Sequence, residues 1–239
     1  MHPRRPKLVS FSGIDGAGKT TQIDALLQHL TDSGYQWQLR TFWDDVVAFS
    51  RWRERVSLQV FKGDAGVGSL DRPIVRRDKN VTSFHVVLLR LVLYVCDAIR
   101  LRLIVSRCMN NVVDFVIFDR YIYDELANLP IHHWALRIYA RAVLWFAPRP
   151  DVAFLLDADP EKAQQRKPEY PLEFVRRNRE TYVALAQIAG MTVAPPSSIP
   201  ETTQRIREIV FTKSRDAGVS TGIDLTPSAA MGSVKTRST

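Results

Sequence analysis

The chain has 239 residues, with 33 Lys+Arg against 25 Asp+Glu, a formal charge of +8 and a pI near 9.7. Its 46% hydrophobic and 24% charged content excludes a wholly disordered chain. Two cysteines, Cys96 and Cys108, both in one apolar segment, exclude a disulfide framework. The length suffices for one sizeable core, burying about 70% of the unfolded surface. The longest apolar run, Val86 to Ile99, is interrupted by Arg90 and Asp97. It falls short of the roughly 20 residues a membrane span requires. No signal peptide is read ahead of the fold, so a cytoplasmic protein in a reducing compartment is expected. The positive excess points to an acidic partner: nucleic acid, a membrane surface or a phosphorylated small molecule.

Residues 1–6 read as a basic leader broken by proline. Lys7 to Ser12 is short and apolar, as a buried strand should be. A Gly-rich turn, Gly13 to Gly18, precedes a helix pattern from Lys19 to about Ser33, with Ile23, Leu26, Leu27 and Leu30 on one face. Tyr35 to Trp43 reads as a second strand, Val46 to about Phe61 as a helix, and Lys62 to Arg77 as a loop rich in Gly and Asp. From about Val81 to Met109 runs a helix apolar on most sides, expected to be buried against a sheet. Val112 to Phe118 is the clearest strand, with Asp119-Arg120-Tyr121 at its end. Helical stretches follow to about Phe146, then a strand from Asp151 to Leu156. Asp159 and Pro160 have the chemistry of an N-cap and first helical residue. A helix is expected from about Leu172 to Ala189, a short strand from Met191 to Ala194, and a last helix from Pro200 to Lys213. Residues 7–214 are expected to form one domain, with a short lid near 166–177. Gly, Ser and Thr dominate beyond it, and 215–239 is expected to be a disordered tail.

Strands alternating with helices imply an α/β fold with a parallel sheet covered on both faces. Ligands bind such sheets at the carboxyl ends of the strands. Gly13-Ile-Asp-Gly-Ala-Gly-Lys19-Thr20 fits the phosphate-loop pattern G-x-x-x-x-G-K-S/T. Backbone N–H groups must converge on phosphate oxygens there, so Gly13, Gly16, Ala17 and Gly18 are small. The helix beginning at Lys19 adds its partial positive charge. Lys19 can neutralise the β- and γ-phosphates of ATP, and the Thr20 hydroxyl can ligate Mg²⁺. No guanine-reading N-K-x-D is present. A carboxylate at a strand end beside this loop, Asp119, is placed to anchor the same Mg²⁺.

Phe11 to Gln22, which contains Asp15, Gly16, Lys19, Thr20 and Thr21, resembles the phosphate loop of thymidylate kinases. Val116-Ile-Phe-Asp-Arg-Tyr121 resembles their Asp-Arg-Tyr segment. Leu155 to Arg166 is similar to their strand-to-lid segment, and Phe174 to Ala186 to the helix after the lid. The resemblance implies a P-loop kinase fold with a five-stranded parallel sheet. It implies transfer of the ATP γ-phosphoryl group to a nucleoside monophosphate, and a homodimer formed through the long apolar helices. Lys19, Asp119, Arg120 and Arg166 would be catalytic. Gly13, Asp15, Gly16, Ala17, Gly18, Lys19, Thr20 and Thr21 would bind ATP, with Thr20 and Asp119 on Mg²⁺. Asp15 would face the acceptor, and Arg120 would contact its phosphate.

The acceptor side departs from the family. Its arginine-bearing loop after the second strand is replaced by Thr41-Phe-Trp-Asp-Asp45. Its arginine in the long helix falls, on an ungapped count, at Ala98. Its serine-rich stretch after Asp-Arg-Tyr reads Ile122-Tyr-Asp-Glu. Three readings stay open: a thymidylate kinase-like enzyme, a kinase of the same fold with another small-molecule acceptor such as a nucleoside or sugar, and a nonenzymatic ATP-dependent switch. The expected partner is a small anionic acceptor, a nucleotide in the first reading, with no nucleic acid or membrane.

Overall fold

The computed structural model of the chain describes residues 5–47 and 84–216. Its strands are β1 (Lys7–Ser12), β2 (Trp37–Thr41), β3 (Phe115–Asp119), β4 (Val152–Leu156) and β5 (Thr192–Ala194). Its helices are α1 (Lys19–Asp32), α2 (Phe84–Cys108), α3 (Ile122–Leu126), α4 (Trp134–Phe146), α5 (Pro160–Arg166), α6 (Leu172–Ala189) and α7 (Ile199–Asp216). Residues 48–61 of the predicted helix over 46–61, the loop over 62–77 and the tail beyond Asp216 lie outside the described residues, as do Met1–Arg4 of the leader; Val46 ends a π-helical turn with Val47 beyond it, and residues 215 and 216, expected to open the tail, end α7.

The five strands are all parallel, in the order β2-β3-β1-β4-β5. Alternation along each strand divides the core. Val9, Phe11, Ile117, Phe154 and Leu156 face α1 and α7, meeting Leu26, Leu30, Ile206 and Val210. Leu8, Val116, Phe118 and Leu155 face the other side, where α2, α3 and α6 supply Leu101, Leu126 and Leu185. Each fully buried Leu or Phe contributes about 1.5–3 kcal/mol over an exposed one. Because α1 covers one face of the sheet and α3 the other, neighbouring strands β1 and β3 send their chains to opposite sides. A crevice opens at their carboxyl ends, where ligands bind in such sheets.

The local signals place most boundaries. Lys7–Ser12 and Leu172–Ala189 match their predicted limits. Asp159 caps α5, accepting from the Lys162 N–H at 3.0 Å, with Pro160 as the first helical residue. Three expectations need correction. Val112 is 96% exposed, and β3 begins only at Phe115, where the Gln36 carbonyl accepts the Asp114 and Phe115 N–H groups at 2.7 and 3.1 Å. The second strand ends at Thr41, where the chain enters a π-helical turn, Phe42–Val46. Helix α2 is not covered all round: Tyr94, Ala98, Leu101 and Val105 are buried, but Leu88, Val92, Val95, Ile99 and Leu103 face water along one stripe. Helix α4 also exposes apolar side chains, Trp134, Ile138 and Trp145. The two helices are tied by the Tyr139 hydroxyl donating to the Leu91 carbonyl at 2.6 Å and Arg102 donating to the Phe146 carbonyl at 3.0 Å.

Candidate active site

The Gly-rich turn leaves β1 at the crevice and ends where α1 begins. Its glycines answer to close approach as well as to phosphate. A Cβ on Gly13 would lie 2.5 Å from the Leu156 carbonyl oxygen of β4. Gly16 has φ +82°, and a Cβ there would sit 2.9 Å from the Ala163 carbonyl carbon and closer still to its oxygen. Helix α5 therefore rests directly on the loop. Lys19 is buried beneath the turn, its ammonium donating to the Gly13 and Ile14 carbonyls at 2.8 and 2.9 Å. Burial, aided by the Arg120 charge, pushes its pKa down to about 8, against the opposing pull of Asp124, Asp15 and Asp119. Thr20 and Thr21 are exposed on the first turn of α1.

Asp119 ends β3, in register with Phe11 of β1 and Thr41 of β2. Burial pushes its carboxyl pKa up, while Arg120 and Lys19 pull it down. Arg120 follows with φ +68°, a left-handed conformation costly for a residue with a Cβ. Its N–H still donates to the Phe11 carbonyl at 2.9 Å, so the corner remains stitched to β1. Its guanidinium turns back over the phosphate loop, pairing with Asp15 through one nitrogen and with Asp124 through the other at 3.0 Å. Burial works against that charge, and the carboxylates of Asp124 and Asp15 more than offset it, raising the pKa.

Arg166, the last residue of α5, donates to the Gly16 carbonyl at 3.2 Å. The other cations of the lid segment and of the helix after it divide. Lys167 lies 3.8 Å from Asp15 and 3.2 Å from Glu169. Arg176 is tied to Glu161, Arg177 to Glu173 at 3.7 Å, and Arg179 to both oxygens of Asp157 at 2.6 and 2.7 Å. Those three brace helices, as i,i+4 and inter-helix pairs do, while Arg166 and Lys167 reach the loop. Arg51, Arg53 and Arg55, the arginines of the predicted helix over 46–61, lie outside the described residues.

Two cavities flank the phosphate loop. A larger one, about 430 Å³, runs from Gly18 and Thr21 past Asp157 and Asp159 to Arg166 and the Pro195–Ile199 segment. A tight one, about 30 Å³, is lined by Asp15, Trp43, Arg120, Lys167, Tyr170 and Phe174. The π-helical turn delivers Trp43 to it. That turn is fixed by Asp45, which accepts from the Thr41 N–H at 2.9 Å, and by Arg100, which donates to the Asp45 and Val47 carbonyls at 3.1 and 3.2 Å. Sequence reasoning did not find Asp124, Tyr170 or Tyr182 as site residues. The one signal for Asp124 was its i,i+4 spacing from Arg120. The adjacent His132 and His133 are exposed, with rings 5.2 Å apart, and no group of three or more His, Cys, Asp or Glu among the described residues could hold a metal. Cys108 is buried and Cys96 half-buried, both as free thiols.

No family model matches the chain. Curated relatives do. It is 30% identical over 188 residues to a protein of Methanothermobacter thermautotrophicus named "Probable thymidylate kinase", covering 76% of this chain and 82% of that one. It is 27% identical over 197 residues to a protein of the same name from Pyrococcus horikoshii, covering 77% and 84%. Among solved structures, the thymidylate kinase of Candida albicans shares its fold, with a TM-score of 0.56 over 88% of this chain and 93% of that one, at 17% identity. The parallel sheet and the span of the archaeal matches lead to one assignment: the chain belongs to the thymidylate kinase family.

Proposed function

We propose that the protein transfers the γ-phosphoryl group of ATP to the phosphate of dTMP, giving dTDP and ADP. Family membership makes it a nucleotide kinase. The observation that carries the reading is the phosphate loop set between two cavities, with Lys19 beneath it and Arg120 and Arg166 on opposite flanks. In this reading the larger cavity takes the donor nucleotide. Loop amides and Lys19 hold its β- and γ-phosphates, and Arg166 covers them. The acceptor enters on the side of the tighter cavity, whose volume of about 30 Å³ must widen to admit it, with Arg120 and Lys167 beside its phosphate and Trp43 and Phe174 against its base. An acceptor phosphate oxygen attacks the γ-phosphorus, and the bond to the β–γ bridging oxygen breaks. The protein contributes position and positive charge, which is most of what phosphoryl transfer needs.

Mg²⁺ suits the donor set, because the exposed Thr20 hydroxyl and the Asp119 carboxylate are hard oxygen ligands and this ion keeps most of its waters. When bound it neutralises charge developing on the phosphate oxygens. Asp119 would hold it through its carboxylate, and Thr20 through its hydroxyl.

A second reading, another acceptor on the same fold, is favoured by the acceptor cavity itself. Its cations Arg120 and Lys167 both already face Asp15. ATP consumption measured over dTMP, other nucleoside monophosphates, nucleosides and sugars separates the two. Preferred turnover of dTMP supports the first. Turnover confined to a nucleoside or sugar supports the second, and a flat result overturns both in favour of an ATP-dependent switch. The exposed apolar faces of α2 and α4 support a homodimer, which a solution mass of twice the chain would bear out. No described helix is long and apolar enough to cross a membrane, and a cytoplasmic location goes with that reading.

A further inference from the structure

The Asp124 carboxylate is the most heavily hydrogen-bonded group near the phosphate loop. Its side chain is 1% exposed. It accepts the Ser12 hydroxyl at 2.6 Å, the Tyr121 N–H at 3.0 Å, the Tyr182 hydroxyl at 2.8 Å and the Arg120 guanidinium at 3.0 Å. Four donors fill the lone-pair sites that a carboxylate offers. Three of them belong to rigid parts of the fold: the last residue of β1, the backbone at the start of α3, and the middle of α6. The carboxylate is therefore fixed before Arg120 is considered, and Arg120 is the one partner on a strained backbone.

Asp15, the other carboxylate on Arg120, is different in kind. It sits on the phosphate loop, is 20% exposed along its side chain, and also faces Lys167. One edge of the guanidinium is thus held by a buried, saturated anion, and the other by an accessible anion lining the tight cavity. We propose, resting on the function proposed above, that Asp124 is a positioning residue for phosphoryl transfer. It locks one edge of Arg120, so that the edge now on Asp15 is presented, pre-oriented, to the phosphate of the acceptor. Position fixed in advance costs nothing at the moment of reaction, and a misplacement of about 1 Å can cost on the order of 10²-fold in rate.

The test is Asp124→Asn, which keeps shape and one carbonyl acceptor but removes the charge, made alone and together with Arg120→Lys. Steady-state kinetics are read against both substrates. Asp124→Asn is expected to lower kcat/KM for the acceptor by about 100-fold, with the KM for ATP changed by less than threefold. In the Arg120→Lys background the same change is expected to cost less than threefold more, because Asp124 acts through the guanidinium. Ser12→Ala, which touches neither cavity, removes one restraint on Asp124 and is expected to lower the same kcat/KM by a smaller factor, about threefold to tenfold. A purely structural Asp124 predicts otherwise: a lowered melting temperature, with losses that multiply independently of Arg120. Independent multiplication, or an Asp124→Asn enzyme with wild-type kcat/KM, overturns the positioning role while leaving the proposed function standing. Wild-type protein that turns over no nucleoside monophosphate overturns both.

Discussion

Replacing Gly16 by alanine separates two demands on the phosphate loop that are usually merged. Gly16 and Gly18 both have left-handed backbones, with φ +82° and +86°. An added Cβ costs about 1–2 kcal/mol in that region, and the shared gain from a stiffer unfolded chain cancels between the two variants. At Gly18 nothing lies within 4 Å of the new atom. At Gly16 it meets the backbone of Ala163, which cannot swing aside like a side chain. Forcing α5 away adds about 1–3 kcal/mol, the usual range for overpacking. For a chain of this size that difference is about 2–12 °C in Tm, at about 2–4 °C per kcal/mol. The two variants and the wild type are compared by thermal and urea unfolding at one protein concentration, with the urea m-value checked for constancy. The expected order is wild type, then Gly18→Ala, then Gly16→Ala. Equal destabilisation, or a reversed order, refutes the contact between α5 and the loop as the reason for glycine at 16.

Lys19 gives a pH prediction. Burial holds its pKa near 8 in the free protein, and binding phosphates requires its charged form. Above pH 8, ATP binding should therefore take up protons and weaken by about tenfold per pH unit. Calorimetry in two buffers of different ionisation enthalpy measures this, and equal apparent enthalpies at pH 8.5 would refute it. Asp119→Asn is expected to raise the Mg²⁺ concentration for half-maximal turnover by about 10–100-fold, the scale of losing one ligand interaction; an unchanged Mg²⁺ dependence would leave Asp119 a structural partner of Arg120 and Lys19. Trp43→Ala is expected to raise the acceptor KM without changing the ATP KM. Stacking on a base contributes about 1–3 kcal/mol, or roughly fivefold to 150-fold, and a rise below twofold removes Trp43 from the acceptor site.

Much of the donor side was legible because its signals are local. The phosphate-loop spacing, the Asp159-Pro160 cap and the buried run Phe115 to Phe118 each depend on a few neighbouring residues. The rest depended on partners distant in sequence. Nothing near Gly16 announces that the Ala163 carbonyl will press on it from 147 positions away. The left-handed turn at Arg120 accompanies the bond of its N–H to Phe11 and of its guanidinium to Asp124, and no preference of arginine announces it. The apolar run in α2 could not report which of its faces the sheet would cover, since composition without a clear period is silent on direction. The sequence pattern places Trp43 at the end of the second strand, and the π-helical turn that carries it to the cavity is held by Arg100, 57 residues along the chain.

The water-facing stripe of α2 gives the homodimer proposed above a consequence for stability. A second copy docked on that surface would bind only the folded chain, because unfolding scatters its residues. Folding and association would then share one equilibrium, with the melting point rising with the logarithm of protein concentration. In such a dimer, dilution alone would act as a mild denaturant.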